Sequence, residues 1–130
     1  IWTSSDSGVN WTEVTNTGAA KKRVEVASSA DGTKLAVVVY QGNIWTSTDS
    51  GANWTEVTNT GGTKNWYSIA SSTDGTKLAA VVKSGNIWTS TDSGANWTER
   101  PLPNGATKDW RAIASSADGT KLAAAAYGGN

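Results

Sequence analysis

Carboxylates, arginines and tryptophans are the side chains with which this 130-residue chain could do chemistry. The chain contains no histidine and no cysteine, which removes the usual general base, the thiol nucleophile and the best zinc ligands together. It keeps eleven acidic side chains, eleven basic ones and eight tryptophans. Glycoside hydrolysis generally needs two carboxylates that face each other across the substrate. A carbohydrate-binding surface needs aromatic rings that a sugar can reach. The spacing of these residues therefore decides which chemistry is available.

One acidic pattern, Ser-x-Asp-x-Gly-x-x-Trp, occurs three times. In its second copy the Asp49 carboxylate can accept hydrogen bonds from backbone N–H groups just ahead of it, which would close an Asx-type turn. Gly51 can take the left-handed conformation that such a reversal often needs, and Trp54 is expected to pack under the turn. The three copies are Ser4, Asp6, Gly8 and Trp11; Ser47, Asp49, Gly51 and Trp54; and Ser90, Asp92, Gly94 and Trp97.

The aspartates of this pattern are interpreted as folding residues rather than as acids or metal ligands. The Ser-x-Asp-x-Gly segment has some likeness to a calcium-binding loop. One carboxylate in each loop is too few for a tight calcium site, however. We therefore expect no metal and no cofactor.

The elements that must position these residues repeat along the whole chain. Two blocks recur at a spacing of 43 or 44 residues, which indicates a repeat architecture. Residues 44–56 are identical to residues 87–99. Such near-identity indicates either recent amplification or deliberate design, and the sequence does not choose between them. The block Ile-Trp-Thr-Ser begins at Ile1, Ile44 and Ile87, and the block Asp-Gly-Thr-Lys-Leu-Ala begins at Asp31, Asp74 and Asp118.

One repeat unit predicts four short strands, over residues 66–70, 77–82, 87–91 and 97–100. Asp74 and Gly75 indicate a turn between the first two, since glycine accepts a positive φ. The second strand is almost continuously apolar, which indicates burial on both faces. Four such strands in a unit of about 40 residues are typical of a propeller blade, whereas a β-sandwich does not require hairpins at constant spacing. The predicted fold class is therefore all-β, a β-propeller of four-stranded antiparallel blades.

The Ser-x-Asp-x-Gly-x-x-Trp pattern, between the third and fourth strands, resembles the Asp box, or BNR repeat, of sialidase-like β-propellers. All three units carry the pattern at the corresponding place, so the resemblance extends over the whole chain. Kelch and WD40 blades fit less well, because their paired-glycine and Trp-Asp signatures are missing. The resemblance implies that the pattern is a structural hairpin that lies away from the substrate pocket.

The resemblance also implies a chemistry that this chain does not reproduce. Sialidases of this type use three arginines, a tyrosine nucleophile assisted by a glutamate, and an aspartate acid/base. Arg23, Arg100 and Arg111 occupy different positions of the repeat, and Glu25 is the one acidic residue expected on an inner strand. The glutamates that do repeat lie one blade apart on outer strands, at Glu13, Glu56 and Glu99. We therefore expect a non-catalytic structural repeat protein with no catalytic residues, and an Asp-box glycosidase fragment is the last alternative.

The tryptophans supply the other functional alternative, a carbohydrate- or protein-binding propeller module. Trp66 and Trp110 begin inner strands and, with Arg111, could line the central mouth of a ring as a ligand site. The remaining six recur with the blade and are expected in the core: Trp2, Trp11, Trp45, Trp54, Trp88 and Trp97.

The distribution of charge predicts neither a nucleic-acid partner nor a membrane partner. Acidic and basic side chains are equal in number and scattered singly along the chain, so they give little attraction for polyphosphates or anionic bilayers. No apolar run approaches the roughly 20 residues of a transmembrane helix.

The phase of the repeat predicts a ring that is closed by oligomerisation. Residues 1–16 read as an outer half-blade, 20–59 and 63–102 as full blades, and 106–127 as an inner half-blade. Three blades are too few to close a ring, since propellers typically have about four to eight. We expect the chain to associate with itself, as a homodimer of six blades or, alternatively, as a homotrimer of nine.

Overall fold

A computed structural model describes residues 1–17 and 22–128, without the side chains of Arg23 and Val24. In this part of the chain the regular structure is strands and one 3-10 turn at Pro103–Gly105. No helix of the described residues is long and apolar enough to cross a membrane. The strands are β1 Trp2–Thr3, β2 Thr12–Glu13, β3 Arg23–Ser28, β4 Leu35–Gly42, β5 Ile44–Ser47, β6 Thr55–Val57, β7 Lys64–Ser71, β8 Leu78–Gly85, β9 Ile87–Ser90, β10 Thr98–Arg100, β11 Lys108–Ser115 and β12 Leu122–Ala126.

Every strand pair in the described chain is antiparallel and most join strands that are consecutive in sequence. Strands β3–β6 form the first full blade and β7–β10 the second, each a four-stranded meander. Strands β1 and β2 form the N-terminal strand pair, and β11 and β12 form the C-terminal strand pair. The predicted all-β class with four-stranded antiparallel blades is confirmed.

The second and third strands pair in the same register in both full blades. Leu35 lies opposite Ser47, and Leu78 lies opposite Ser90. Val38 and Val81 lie opposite the isoleucines that begin the third strands, Ile44 and Ile87. The repeat of the sequence is therefore also a repeat of hydrogen-bonding register.

The core lies between blades, against the second strands. All residues from Leu78 to Val82 are buried, as the continuous apolar run predicts. Because side chains alternate along a strand, Ala80 and Val82 pack towards the first full blade, while Ala79 and Val81 pack towards the C-terminal strand pair. Each blade thus depends on a neighbour on both sides.

A β-bulge interrupts the inner strand at the same place in each unit. The register shifts between Arg23 and Glu25, between Trp66 and Ser68, and between Trp110 and Ala112. The extra residue is Tyr67 in the second full blade and Arg111 in the C-terminal strand pair. A bulge changes the direction in which neighbouring side chains point, so simple alternation does not predict this strand.

Candidate functional site

The Ser-x-Asp-x-Gly-x-x-Trp turns are closed by their own polar side chains. In the second copy, Ser47 Oγ donates to Asp49 Oδ1 at 2.8 Å and accepts from the Gly51 amide at 2.9 Å. The carboxylate of Asp49 accepts from the Asn53 amide at 2.8 Å and from Asn53 Nδ2 at 2.7 Å. Trp54 Nε1 completes the turn by donating to the Gly51 carbonyl at 2.9 Å.

Two consecutive residues of this turn have a positive φ, although the sequence pointed to one. Gly51 has a φ of 86°, and Ser50 before it has a φ of 58°. Ser50 donates its amide to the Thr33 carbonyl at 2.9 Å, which joins the turn to the inner hairpin of the same blade. The hydrogen bonds of the turn hold Ser50 in a conformation that non-glycine residues seldom adopt.

The pKa values of the turn aspartates fit a structural role. Hydrogen bonds from the amide and side chain of Asn10, and from Ser4, lower the pKa of Asp6 to about 2. The equivalent bonds from Asn53 and Asn96 lower the pKa of Asp49 and Asp92. A general acid at neutral pH needs a pKa near 7, so these carboxylates are poorly suited to that task.

A second set of aspartates closes the loops between inner and second strands. Ser72 Oγ donates to Asp74 Oδ1 at 2.6 Å and accepts from the Lys77 amide at 3.0 Å. In the equivalent loops, hydrogen bonds from Ser29 and Ser116 lower the pKa of Asp31 and Asp118 to about 2. The sequence predicts a turn over residues 72–75, but it does not indicate the hydrogen-bonding role of these serines. Among the described residues no group of three or more acidic side chains could hold a metal ion.

The three residues of the expected ligand mouth differ in their exposure to solvent. The Trp66 ring is completely buried, 5.9 Å from the Trp88 ring centroid. The Trp110 ring is also buried and donates Nε1 to the Gly85 carbonyl at 3.1 Å. Only Arg111 is partly exposed. A stacking ligand needs an open ring face, and neither tryptophan offers one in this arrangement.

The arginines with described side chains belong to separate local contacts. Arg111 donates to Asp109 Oδ2 at 2.8 Å and lies 5.1 Å from the Tyr67 ring centroid. Arg100 is on the outer strand β10 and donates Nε to Thr89 Oγ1 at 3.0 Å. The side chain of Arg23 lies outside the described residues. No shared anion-binding geometry therefore emerges from the part of the chain that the structure describes.

The N-terminal strand pair exposes two tryptophans that the full blades bury. Trp2 and Trp11 are each 58% exposed. Their equivalents in the full blades are each 8% exposed: Trp45, Trp54, Trp88 and Trp97. Since the local sequence is almost the same, the difference arises from the neighbours and not from the residues.

The C-terminal strand pair leaves one strand edge unpaired and several apolar side chains exposed. Among the described strands β12 pairs only with β11, whereas β4 and β8 each have a third strand beside them. Leu122 is 44% exposed, and its equivalent Leu78 is 6% exposed. Ala123 and Ala125 on β12 are exposed as well. We call this unpaired edge and its apolar face the open edge of β12.

A cavity of about 300 Å³ lies beside this open edge, and its lining includes Thr89 and Leu122. The equivalents of these two residues contact the turn glycines elsewhere in the chain. A Cβ atom on Gly94 would lie 2.7 Å from Thr46 Cγ2 and 3.1 Å from Leu78 Cδ1. The cavity is therefore the place that one further turn of this kind would occupy.

Comparisons with known proteins identify the fold but no family. No protein-family model matches the chain, and no curated protein matches it. A crystal structure of a GH74 enzyme from Niastella koreensis is similar with a TM-score of 0.58 and 25% identity, over 78% of this chain and 14% of that one.

Two structures of YCF48 are also similar. YCF48 bound to a D1 peptide gives a TM-score of 0.60 at 17% identity, over 80% of this chain and 40% of that one. YCF48 from Cyanidioschyzon merolae gives 0.59 at 15% identity, over 82% and 38%. The chain thus spans less than half the length of these structures. Both kinds of neighbour are β-propeller proteins, and the chain has the fold of a β-propeller segment.

Proposed function

We propose that this chain is a non-catalytic structural β-propeller module that associates with itself into a closed ring. The observation that carries the proposal is the exposure of Trp2 and Trp11 at positions where the full blades bury tryptophan. The likeness of the Ser-x-Asp-x-Gly-x-x-Trp turns to Asp boxes supports a folding role for their aspartates. The near-identity of the units supports an origin by amplification or design.

A second copy of the chain is the occupant that fits the open edge of β12. The N-terminal strand pair has nearly the same sequence as β5 and β6, which already pair with β4 in the first full blade. In the same register, Leu122 would lie opposite Ser4 of a second copy and Ala124 opposite its Trp2. Unpaired strand edges favour such pairing, and a head-to-tail contact of this kind repeats until rotation closes it.

Burial of the two tryptophans is a large part of the expected driving force. Covering either ring as fully as its equivalents would remove about 100 Å² from water, which is worth about 2–3 kcal/mol. Burial of Leu122 and of the open alanine face would add to it. Two copies of three blades give six blades and three copies give nine; we propose the dimer, with the trimer as the alternative.

The positions of the acidic residues support the non-catalytic part of the proposal. The carboxylates of both turn types accept hydrogen bonds within their own loops. Glu25 Oε2 accepts a hydrogen bond from the Ile69 amide at 2.7 Å, so this carboxylate takes part in a contact between blades. The GH74 neighbour is an enzyme, but this chain covers 14% of its length.

The test compares the mass of the assembled species with that of a variant at the open edge. Ala125 is exposed in the isolated chain, and its equivalents Val38 and Val81 are buried between blades. Ala125→Arg should therefore fold but leave a buried charge in the ring. Native mass spectrometry should find two or three copies for the unmodified sequence and one for Ala125→Arg. Thr58→Arg, at an exposed linker position, is the control and should assemble. An unmodified chain that stays a folded monomer at micromolar to millimolar concentration would overturn the proposal.

A further inference from the structure

Neighbouring units are joined at their inner strands by one polar contact that repeats. Glu25 Oε2 accepts a hydrogen bond from the Ile69 amide at 2.7 Å. One unit later, Ser68 Oγ accepts from the Ile113 amide at 3.0 Å. Glu25 and Ser68 occupy the same position of the repeat, so a side-chain acceptor at this position binds the inner strand of the next blade.

The third residue at this position is Ala112, whose methyl group cannot accept a hydrogen bond. The residue that Ala112 would face in the next blade is Val26 of a second copy, since Val26 occupies the position of Ile69 and Ile113. Val26 is 59% exposed, whereas Ile69 and Ile113 are 4% and 7% exposed. A joint between copies would bury Val26 but leave its amide without this acceptor.

A second polar contact between neighbouring units is missing from the same joint. Asn16 Nδ2 donates to the Ala52 carbonyl at 3.1 Å, and Asn59 Nδ2 donates to the Ala95 carbonyl at 2.8 Å. The residue 43 positions after Asn59 is Leu102. The amide donor of the internal joints is thus replaced by an apolar side chain.

The lysine contact of the joint is preserved in the sequence. Lys34 Nζ donates to the Asp74 carbonyl at 3.0 Å, and Lys77 Nζ donates to the Asp118 carbonyl at 2.8 Å. Lys121 occupies the next position of this series. At the other end, a Cβ atom on Gly32 would meet nothing within 4 Å, whereas on Gly75 it would meet Lys34. Gly32 of one copy and Lys121 of another therefore remain available to each other.

We propose that Ala112 sets the strength of the joint between copies, which makes that joint weaker than the joints within a copy. This inference rests on the proposed function, because it needs a ring built from several chains. The joint between copies keeps the lysine contact of the internal joints, but it lacks their inner-strand acceptor and their asparagine donor. A ring built in this way opens between chains before it opens within one.

Ala112→Ser tests the proposal, because it restores the acceptor that Ser68 supplies inside the chain. A hydrogen bond is worth enough to lower the dissociation constant for each joint by about two- to tenfold, measured by sedimentation velocity. Ala112→Glu, which copies Glu25, is a second variant with the same expected direction. Ala106→Ser, at an exposed linker position, is the matched control and should leave the dissociation constant unchanged.

Internal variants separate this inference from the proposed function. Ser68→Ala removes the acceptor inside the chain, so it should lower the melting temperature of the chain more than it weakens assembly. If the unmodified sequence does not assemble, the proposed function is wrong. If it assembles and neither Ala112→Ser nor Ala112→Glu binds more tightly than Ala106→Ser, the role of Ala112 is wrong while the ring stands.

Discussion

Serine hydroxyl groups organise both kinds of turn in this chain. Ser47 and Ser72 each donate to an aspartate two residues ahead and accept from a backbone amide. The aspartate then accepts from the backbone beyond the turn, at Asn53 and Thr76. The turn favours the ionised carboxylate, because protonation adds an O–H donor to a group that here accepts hydrogen bonds and weakens those it accepts. Acidification should therefore act on the fold through these turns.

The first prediction is that the chain loses stability between about pH 5 and pH 2. Hydrogen bonds lower the pKa of Asp6, Asp31 and Asp118 to about 2, below the value of about 3.9 for an unfolded chain. The unfolded chain then takes up protons first as the pH falls, so the stabilisation present above pH 4 is lost towards pH 2. The melting temperature should fall across this range.

The double variant Asp31→Asn and Asp118→Asn should melt at a lower temperature at neutral pH and should show a flatter pH dependence. Thr58→Asn, outside both kinds of turn, is the control and should show the same melting behaviour as the unmodified sequence. A melting temperature that stays constant from pH 6 to pH 2 would contradict the prediction.

At the scale of elements, the strands could be predicted from the repeat, because each strand has a recognisable local sequence pattern. The buried second strand, the turn glycines and the order of strands in a blade all follow from short-range patterns. The inner strand was less predictable. Its bulge makes Tyr67 and Arg111 the extra residues, and the Trp66 and Trp110 rings of the predicted mouth are both buried in the described chain. A bulge has no strong sequence signal, so the side-chain directions of this strand could not be foreseen.

The sequence also did not predict which residues contact each other between blades. Glu25 reads as an isolated substitution for Ser68, yet both accept from the next inner strand. The residues that meet in this way are 44 or 45 positions apart, and nothing local to either one indicates its partner. The repeat spacing gives the equivalent positions, but only the folded chain shows which equivalent positions touch.

The second prediction compares two tryptophans that close equivalent turns. Trp54 is covered by neighbouring strands, whereas Trp11 is mostly exposed and donates its Nε1 to Gly8 of its own turn. At a concentration where the chain is monomeric, Trp54→Ala should lower the free energy of unfolding by about 3–5 kcal/mol. Trp11→Ala should lower it by much less, because little buried surface is lost.

In assembly the order of the two variants should be reversed, with Trp11→Ala having the larger effect. Trp11→Ala should abolish the closed ring, since Trp11 is one of the rings that a second copy would cover. Chemical denaturation at low concentration and native mass spectrometry at high concentration provide the two measurements. Equal losses of stability for Trp11→Ala and Trp54→Ala would show that the N-terminal strand pair is already as well packed as a full blade.

At the scale of the whole molecule, each unit completes its core only through its neighbours. A repeat protein of this kind exposes apolar surface at whichever unit lacks a neighbour. Such exposed apolar surface includes Val26 and Trp2 at one end of the described chain. At the other end it includes Leu122 and the open edge of β12. Each of these two surfaces is equivalent in sequence position to one half of a joint that the chain already contains in its interior.

The turn glycines distinguish the contacts inside the chain from those that assembly would add. A Cβ atom on Gly51 would lie 2.7 Å from Thr3 Cγ2, so this glycine is held against a neighbouring unit. A Cβ atom on Gly8 would have the side chain of Trp11 as its nearest neighbour, at 3.8 Å. In a ring, Gly8 would instead enter the cavity beside Thr89 and Leu122 of another copy.

The last prediction is that Gly8→Ala weakens assembly far more than it weakens the chain. Gly8 and Gly61 have φ values of 84° and 78°, so alanine at either position should cost about 1–2 kcal/mol of folding free energy from the backbone alone. Gly61→Ala is the control, because a Cβ atom there would meet nothing within 4 Å, and it should assemble normally. Gly51→Ala should destabilise the chain more than either, since it adds the contact with Thr3. Sedimentation velocity and thermal melting of the three variants separate the two effects, because only Gly8→Ala should leave a folded chain that no longer closes a ring. If Gly8→Ala and Gly61→Ala assemble equally well, the turn of the N-terminal strand pair does not enter the cavity beside β12.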